Sequence, residues 1–538
     1  MGHTLRVTML RATAIVACFS CLFLMDLSEA QDSSDSAPPM QVSSARLLDL
    51  GKLTYTKKCV ACHGELGAGD GEAAYLLYPK PRDFVTARYR LVSTWNRVPT
   101  DQDLFATITR GMPGSAMPSW AHLPEDTRWG LVHYIKSLSA KPFVIGPSVE
   151  PEDDGESGSG VVVIPAAPAY DDEAHKRADA LYQENCAGCH GKTGRGDGAT
   201  EQIDDEGYAT RPRDLTQGVY KGSPDPASVY LRIVAGMPGT PMPMTDWARG
   251  DDGWHLTHYV LAMSSERERD RNEMHRYPIV ATRVDALPEH PDSGLWGLTP
   301  PVNLHLMPLW WRDDRPQEIT VRALHDGDDL AVLAMWPDDS DDHTMIRTQD
   351  FRDAVAIQFS LTPDPPFFGM GDEGNFVNIW MWKSERQADL DSAFQDLEEV
   401  YPNIAIDSYT DLKRSPLEQP TRHAPTLESD PVFVTGWGAG NIVSDPTRDD
   451  AAEDLRAKGF GTLSARPPID RSVEADGVYR ANAYSVMFRR SLDARGKEAV
   501  SLRPGKTVPV AFAVWNGSAG DRDGKKSITI WQDLVIER

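Results

Sequence analysis

One stretch of this chain occurs twice, and the two copies bring their surroundings with them. Tyr55-Thr56-Lys57-Lys58-Cys59-Val60-Ala61-Cys62-His63-Gly64 is answered by Tyr182-Gln183-Glu184-Asn185-Cys186-Ala187-Gly188-Cys189-His190-Gly191. Glycines follow at matching offsets: Gly67 and Gly69-Asp70-Gly71, then Gly194 and Gly196-Asp197-Gly198. Pro81-Arg82-Asp83 is answered by Pro212-Arg213-Asp214. Gly111-Met112-Pro113-Gly114 with Met117-Pro118 is answered by Gly236-Met237-Pro238-Gly239 with Met242-Pro243. The motif around Trp129, His133 and Tyr134 returns around Trp254, His258 and Tyr259. A unit of about a hundred residues is therefore used twice, as internal repeats require.

The repeated pentapeptide is C-x-x-C-H, the attachment pattern for c-type haem. Two thiols three residues apart near a helix end reach both vinyl groups of one porphyrin. The next residue, His, then lies under the iron as proximal ligand. The expected cofactors here are two covalent haems c. The first is on Cys59 and Cys62 with His63 below it, the second on Cys186 and Cys189 with His190 below it. The glycines after each His suit backbone that passes close to a porphyrin.

Around the first site the pattern is helical. A helix runs from about residue 44 into Cys59, with Leu47, Leu48 and Leu50 as its apolar residues. Thr100 and Asp103 form a capping box for a helix through Thr109, which stops at Gly111. A last helix covers roughly 125–138. In the second copy, Asp225-Pro226 is an N-cap followed by Pro at the first helical position. Each copy resembles a class I cytochrome c domain. That resemblance places the sixth iron ligands at Met117 and Met242, and thioether ligation raises the reduction potential and closes the iron. Met112 and Met237 read as packing residues. His133 and His258, on the terminal helices, are alternative ligands. Arg82 and Arg213 either pair with haem propionates or make ordinary salt bridges to a neighbouring Asp.

At 538 residues the chain is too long for one core, which implies several domains. Residues 1–30 hold Arg6 and Arg11, an apolar run over 12–25 and Ser28-Glu29-Ala30. These are the three regions of an export signal, with cleavage expected after Ala30 and a periplasmic location. Cys18 and Cys21 lie in that leader, and the other four of the six cysteines belong to the two repeats. The mature chain thus has none left for a disulfide, an iron–sulfur cluster or a thiolate zinc site. A formal net charge of −25 argues against nucleic acid. It suits a protein steered toward basic partners.

The expected domains are a cytochrome c module at 42–140, a linker at 141–169, a second module at 170–266 and a connector at 267–294. The linker should be flexible first and stiffer after, from its Gly/Ser and then Pro composition. Past residue 295 the texture changes to alternating, strand-like runs at 318–323, 329–336, 354–361, 376–383, 479–489, 508–515 and 528–536. His325-Asp326-Gly327-Asp328 is a hairpin signal between the first two. Many strands with Pro- and Gly-rich gaps predict an all-β sandwich, of DOMON-like type, over 295–538. The polar surplus at 384–459 is expected to form long loops with a helix or two.

Phe367-Phe368-Gly369-Met370-Gly371, the following run to Trp380-Met381-Trp382-Lys383, Ala334-Met335-Trp336-Pro337-Asp338 and the strand from Arg352 to Phe359 carry a second resemblance. They resemble the ethylbenzene dehydrogenase haem-binding family. It includes γ subunits of ethylbenzene dehydrogenase, dimethyl sulfide dehydrogenase and selenate reductase, and related subunits of nitrite oxidoreductase. The resemblance implies a β-sandwich that holds one non-covalent haem b. It also implies electron transfer between an outside cytochrome carrier and a molybdenum catalytic subunit with its iron–sulfur partner. The family's methionine and lysine ligands map onto Met370 and Lys383, the other reading being a loop filler and a solvated strand end. Met335, Met487 and His325 are fallback ligands. The family's γ subunits typically lack c-type modules, so the fusion is a departure.

The leading function is therefore electron transfer without substrate chemistry of its own. Two alternatives stand beside it. The sandwich can be a carbohydrate-binding module, with Trp380, Trp382, Trp437, Trp515 and Trp531 stacking on sugar. Or the pair of c haems can form a redox enzyme, a peroxidase or small-molecule dehydrogenase, which needs one open iron. The Asp-rich run 338–342 reads as a solvated loop rather than a metal site.

Overall fold

The first module begins with helix α1 (Ala45–Lys58), which runs into the short α2 (Val60–His63). It continues with α3 (Asp101–Arg110) and α4 (Glu125–Leu138). Helix α3 starts where Thr100 and Asp103 cap it reciprocally. Helices α1 and α4 cross at Gly51 and Gly130. A Cβ on Gly51 would lie only 2.0 Å from the carbonyl oxygen of Gly130, so the two backbones touch there. That crossing brings Tyr55 under the attachment loop, where its hydroxyl donates to Gly64 O at 2.8 Å.

The second module repeats this plan with α5 (Asp172–Asn185), α6 (Ala187–His190), α7 (Pro226–Ala235) and α8 (Asp251–Leu261), followed by α9 (Glu266–Arg271). Tyr182 donates to Gly191 O at 2.9 Å, the same tie in the same place. The Asp225 side chain caps α7 by accepting from Ser228 N at 3.0 Å. The structure is a computed structural model. It describes residues 45–150, 158–199, 201–366, 369–372, 374–392, 395, 400–403, 449–493 and 496–538. The leader and Trp437 lie outside these residues, as does most of the polar stretch from 384 to 459. Among the described residues no helix is long and apolar enough to cross a membrane.

Arginines and carboxylates join the two modules. Arg90 Nη2 lies 2.6 Å from Asp204 Oδ2, with both side chains more than nine-tenths buried. Arg110 grips Glu273 at 2.6 Å and also donates to Gly222 O. Arg232 donates to the carbonyls of Arg90 and Val92. The stretch expected as a linker is pinned where it is described. Val162 N donates to Ser93 O at 2.9 Å, and Pro165 O accepts from the Trp254 indole at 2.9 Å. Val162 is buried because it packs among Trp95, Tyr230 and Trp254.

The rest is mostly sheet. Its strands are β1 (Pro278–Arg283), β2 (Val302–His305), β3 (Met307–Pro308), β4 (Glu318–His325), β5 (Asp329–Pro337), β6 (Ala354–Ser360) and β7 (Val377–Lys383). After helix α10 (Ser384–Asp391) come β8 (Ala452–Ala457), β9 (Ser464–Ala465), β10 (Glu474–Tyr479), β11 (Ala483–Ser491), β12 (Thr507–Trp515), β13 (Ser527–Ile528) and β14 (Gln532–Ile536). The pairing path runs β10-β11-β5-β4-β1-β14-β12-β6-β7-β8-β9. It turns back on itself: Trp336 of β5 lies 6.4 Å from Trp382 of β7, though those strands are far apart on the path. Val332, Ala334, Val486 and Phe488 from one layer meet Val355, Ile357, Trp380 and Val510 from the other in one core. The run expected as a strand over 479–489 is strand β11 from Ala483 on, and its first residues are the turn of a hairpin. Ala481 and Asn482, at φ 53° and 59°, turn β10 into β11. No Gly marks that turn, so the sequence pattern ran through it.

Candidate functional site

Helix α1 ends at the attachment loop and delivers Cys59, Cys62 and His63 to one crevice, which Met112, Met117 and Pro118 close from the opposite loop. That loop is held by Met112 N donating to Met117 O at 3.0 Å and by Ser115 Oγ accepting from Met117 N at 3.3 Å. His63 Nδ1 donates to Arg82 O at 2.9 Å. The bond fixes the tautomer and leaves the Nε2 lone pair free for iron. Burial pushes His63 down to about 4, so the ring is neutral as a ligand must be. Burial raises the Cys59 and Cys62 thiols to about 12, with Cys62 adding to the rise at Cys59. Phe84 stacks on the His63 ring at 4.4 Å and holds its plane.

Arg82 and Arg213 both line this first crevice, although Arg213 belongs to the second module. Arg82 pairs with Glu206 of the second module at 3.1 Å. Arg213 donates to Gly114 O at 3.0 Å and stacks over the Trp311 ring at 3.3 Å. Burial lowers Arg213 to about 9, with Arg315 adding to the effect. Lys221 lines the same crevice, lowered to about 7 by burial first and Arg213 second. Sequence patterning gave no reason to single out Lys221, because nothing in its neighbourhood predicts which module it will face.

In the second module the Met loop repeats: Met237 N donates to Met242 O at 3.2 Å, and Thr240 Oγ1 accepts from Met242 N at 3.3 Å. Met242 is half-buried, whereas Met237 is buried and lines the first module's crevice. Cys186 and Cys189 are half-buried, and Cys189 Sγ accepts from Gln202 Nε2 at 3.2 Å. Burial lowers His190 to about 4, with Lys221 adding to it. His258 packs between Trp254 and Tyr170.

A third site lies against the outer face of the layer β12-β6-β7-β8. Strand alternation builds it. Val355, Ile357, Trp380 and Val510 point into the core, so Ala354, Ala356, Ile379, Met381, Ala511 and Ala513 face the other way. The four alanines leave a flat floor under a cavity of about 740 Å³, within the range of small-molecule and cofactor sites. Met370 and Lys383 both line it. Met370 sits in a turn closed by Gly459 N donating to Met370 O at 2.8 Å. The next residue, Gly371, has φ +82°, and a Cβ there would meet two carbonyl oxygens within 2.9 Å. Lys383 is 7% exposed, which excludes the solvated strand end. Its amine lies 2.8 Å from Glu453 Oε2, and burial lowers its pKa. Arg386 pairs with the same carboxylate, and these cations hold Glu453 low although burial alone would raise it.

Arg347, Arg352, Arg522 and Lys526 also line the cavity, beside Asp350, Asp521 and Asp523, and Arg347 and Arg352 are paired with Asp350 and Glu385. An apolar floor, one thioether, one desolvated amine and a margin that includes arginine and lysine side chains fit a porphyrin. Met335 and Met487 pack in a separate cluster, and neither they nor His325 line this cavity. Trp380, Trp382 and Trp531 are each at most 8% exposed and do not line the cavity, so they offer no surface on which a sugar could stack, whereas Trp515 is part of the cavity wall. Among the described residues no cluster of His, Cys, Asp or Glu forms a metal site.

Two attachment modules beside a porphyrin-sized cavity define a multi-site electron-transfer haem protein. Residues 46–135 match the model of the cbb3-type cytochrome c oxidase subunit III family, residues 175–264 that of cytochrome c, and residues 311–527 that of ethylbenzene dehydrogenase. The chain is thus a tandem cytochrome c, carrying covalent haem c, joined to an ethylbenzene dehydrogenase-type domain. The dimethylsulfide dehydrogenase subunit gamma of Rhodovulum sulfidophilum is 26% identical over 254 residues, 45% of this chain and 73% of that one. The chlorate reductase subunit gamma of Ideonella dechloratans is 24% identical over 221 residues, 40% of this chain and 64% of that one. A chain of the Kuenenia stuttgartiensis reducing HAO-like protein complex aligns at 36% identity over 40% of this chain and 96% of that chain, with a TM-score of 0.35.

Proposed function

We propose that this chain is the haem subunit, γ-type, of a periplasmic molybdenum oxidoreductase. It conducts electrons between a molybdenum catalytic subunit with its iron–sulfur partner and an outside cytochrome. The observation that carries the reading is the cavity on the alanine floor, where Met370 and Lys383 stand together. A non-covalent haem b there supplies one-electron storage. Lys383 must be neutral to ligate iron, which burial favours. Glu453 keeps Arg386 as partner when Lys383 turns away from it.

In the same reading Cys59, Cys62, Cys186 and Cys189 carry the thioethers, and His63 with Met117 and His190 with Met242 ligate the two c-type irons. Arg82 serves the propionates of the first site, and so does Arg213, reaching across from the second module. The sheet domain is a DOMON-like sandwich over 295–538, and residues 1–30 are an export signal cut after Ala30. The γ-subunit relatives and the buried tryptophans favour this over a sugar-binding module.

The test is haem stoichiometry. A pyridine haemochrome spectrum of the purified mature protein, before and after acid–acetone extraction, should give two covalent haems and one extractable haem per chain. Two covalent haems with nothing extractable, from protein matured with haem in excess, would sink the haem b assignment.

A further inference from the structure

Cys62 lines two cavities at once. One is the first c-type crevice, the other the sandwich cavity. It is 9% exposed, and Leu77 shares the double position. Ala73, Tyr75 and Leu76 of the same module also face the sandwich cavity, so the first cytochrome module forms one of its walls. The packing is continuous across this boundary. Tyr55, Leu104 and Trp129 of the module and Ala354, Ala356 and Ala511 of the sheet belong to one apolar core. The first crevice is also walled by Arg213, Lys221 and Met237, all from the second module. Among the described residues, none from the second module lines the sandwich cavity.

We infer that the three sites stand in a row with the first cytochrome module in the middle, and that the Cys62 side of its crevice is the contact with the sandwich site. The inference rests on the proposed third haem. The order is not that of a symmetric pair of cytochromes hung from a sandwich. The second module is the terminal site, and an external one-electron carrier exchanges with the chain there. Cys62 would do two jobs in this arrangement: its sulfur would hold a porphyrin, and the wall it shares would bring that attachment beside the sheet cavity. Cys59, the other half of the pair, lines only the first crevice. Electronic coupling falls steeply with distance, so an edge held in a shared wall is the shortest route between the two sites.

The test uses the whole chain, oxidised and then titrated with reductant, and reads electron paramagnetic resonance rather than turnover. A low-spin ferric neighbour speeds the spin relaxation of a site beside it, and the effect disappears when that neighbour becomes ferrous. The two c-type signals are told apart by M117H and M242H, each of which should move only one of them. The microwave power that half-saturates the extractable-haem signal should fall several-fold as the first module's iron is reduced. It should not change as the second module's iron is reduced. A response to the second module, or to neither, overturns the order. If either variant fails to fold, wild-type protein still decides between one relaxation partner and none for the extractable-haem signal, and one is required. Absence of any third signal is a different failure, since it removes the haem b reading and this order with it.

Discussion

Lys383 Nζ lies 2.8 Å from Glu453 Oε2 in the wall of the sandwich cavity, and both side chains are more than nine-tenths buried. An amine placed there is desolvated, close to a carboxylate that a second cation also holds. Lys383→Ala should therefore lower extractable haem from one per chain to well below half, while covalent haem stays at two. Met370→Ala should do the same. Extraction and spectra of both variants check this, and an unchanged low-spin haem b spectrum in either would remove that residue as a ligand.

Met117 and Met112 lie in one loop and line one crevice, so position alone does not choose between them. Thioether ligation raises the potential of haem iron. Met117→Ala should abolish the methionine-to-iron charge-transfer band of the first module. It should lower that site's potential by on the order of 0.1 V or more, within the roughly 0.8 V span that axial ligands command. Met112→Ala should leave both intact. Potentiometry of the two variants, with Met242→Ala as the second-module counterpart, makes the assignment.

Arg466 and Asp454 form a pair at 2.6 Å with side chains at 0% and 1% exposure. Removing one member of such a pair leaves a buried charge without compensation, which costs about 3–5 kcal/mol. Arg466→Ala should show that loss in equilibrium denaturation of the sheet signal. An Arg466→Met, Asp454→Leu double variant should recover part of it, because that pair leaves together while the buried Arg490 loses the nearby Asp454 carboxylate. Equal loss in both would mean packing, rather than charge, explains the single variant.

Asp338 is 5% exposed, and burial with the charge of Asp353 nearby raises it to about 7. A carboxylate raised in the folded state favours folding below its unfolded value near 4, and that contribution is lost as pH rises toward 7. Asp338→Asn removes the ionisation. Its melting temperature relative to wild type should therefore be higher at pH 8 than at pH 5. A difference that stays constant across the two pH values would show that Asp338 ionises freely in the fold.

Local rules reached far into this molecule. The capping box at Thr100, the Pro226 start and the hairpin at Gly327 follow from a few adjacent residues, and α4 and β5 appear close to where the pattern set them. What escaped is what distance decides. Strands β1, β8 and β10 carry weak alternation and exist because partners already in the sheet pair with them. Lys383 ends its strand, and its neighbours in sequence leave a solvated strand end open beside the ligand reading; Glu453, from a strand 70 residues later, is what pairs with it in a buried place. The spacing Ala354-x-Ala356 and Ala511-x-Ala513 was visible. Its meaning depended on both pairs lying side by side, which the Ala356–Ala513 register supplies.

The buried pair between Arg90 and Asp204 was described as a join between modules. It also bears on time. A cytochrome on a loose tether delivers electrons only as often as it swings into place, and such motion slows in viscous solvent. Here the second module is bolted to the first by contacts that salt screens little. Exchange inside the chain should then ignore both viscosity and ionic strength. In the proposed order, only the meeting with an outside carrier would feel them, and the chain would behave as one solid conductor with a single diffusive contact at its end.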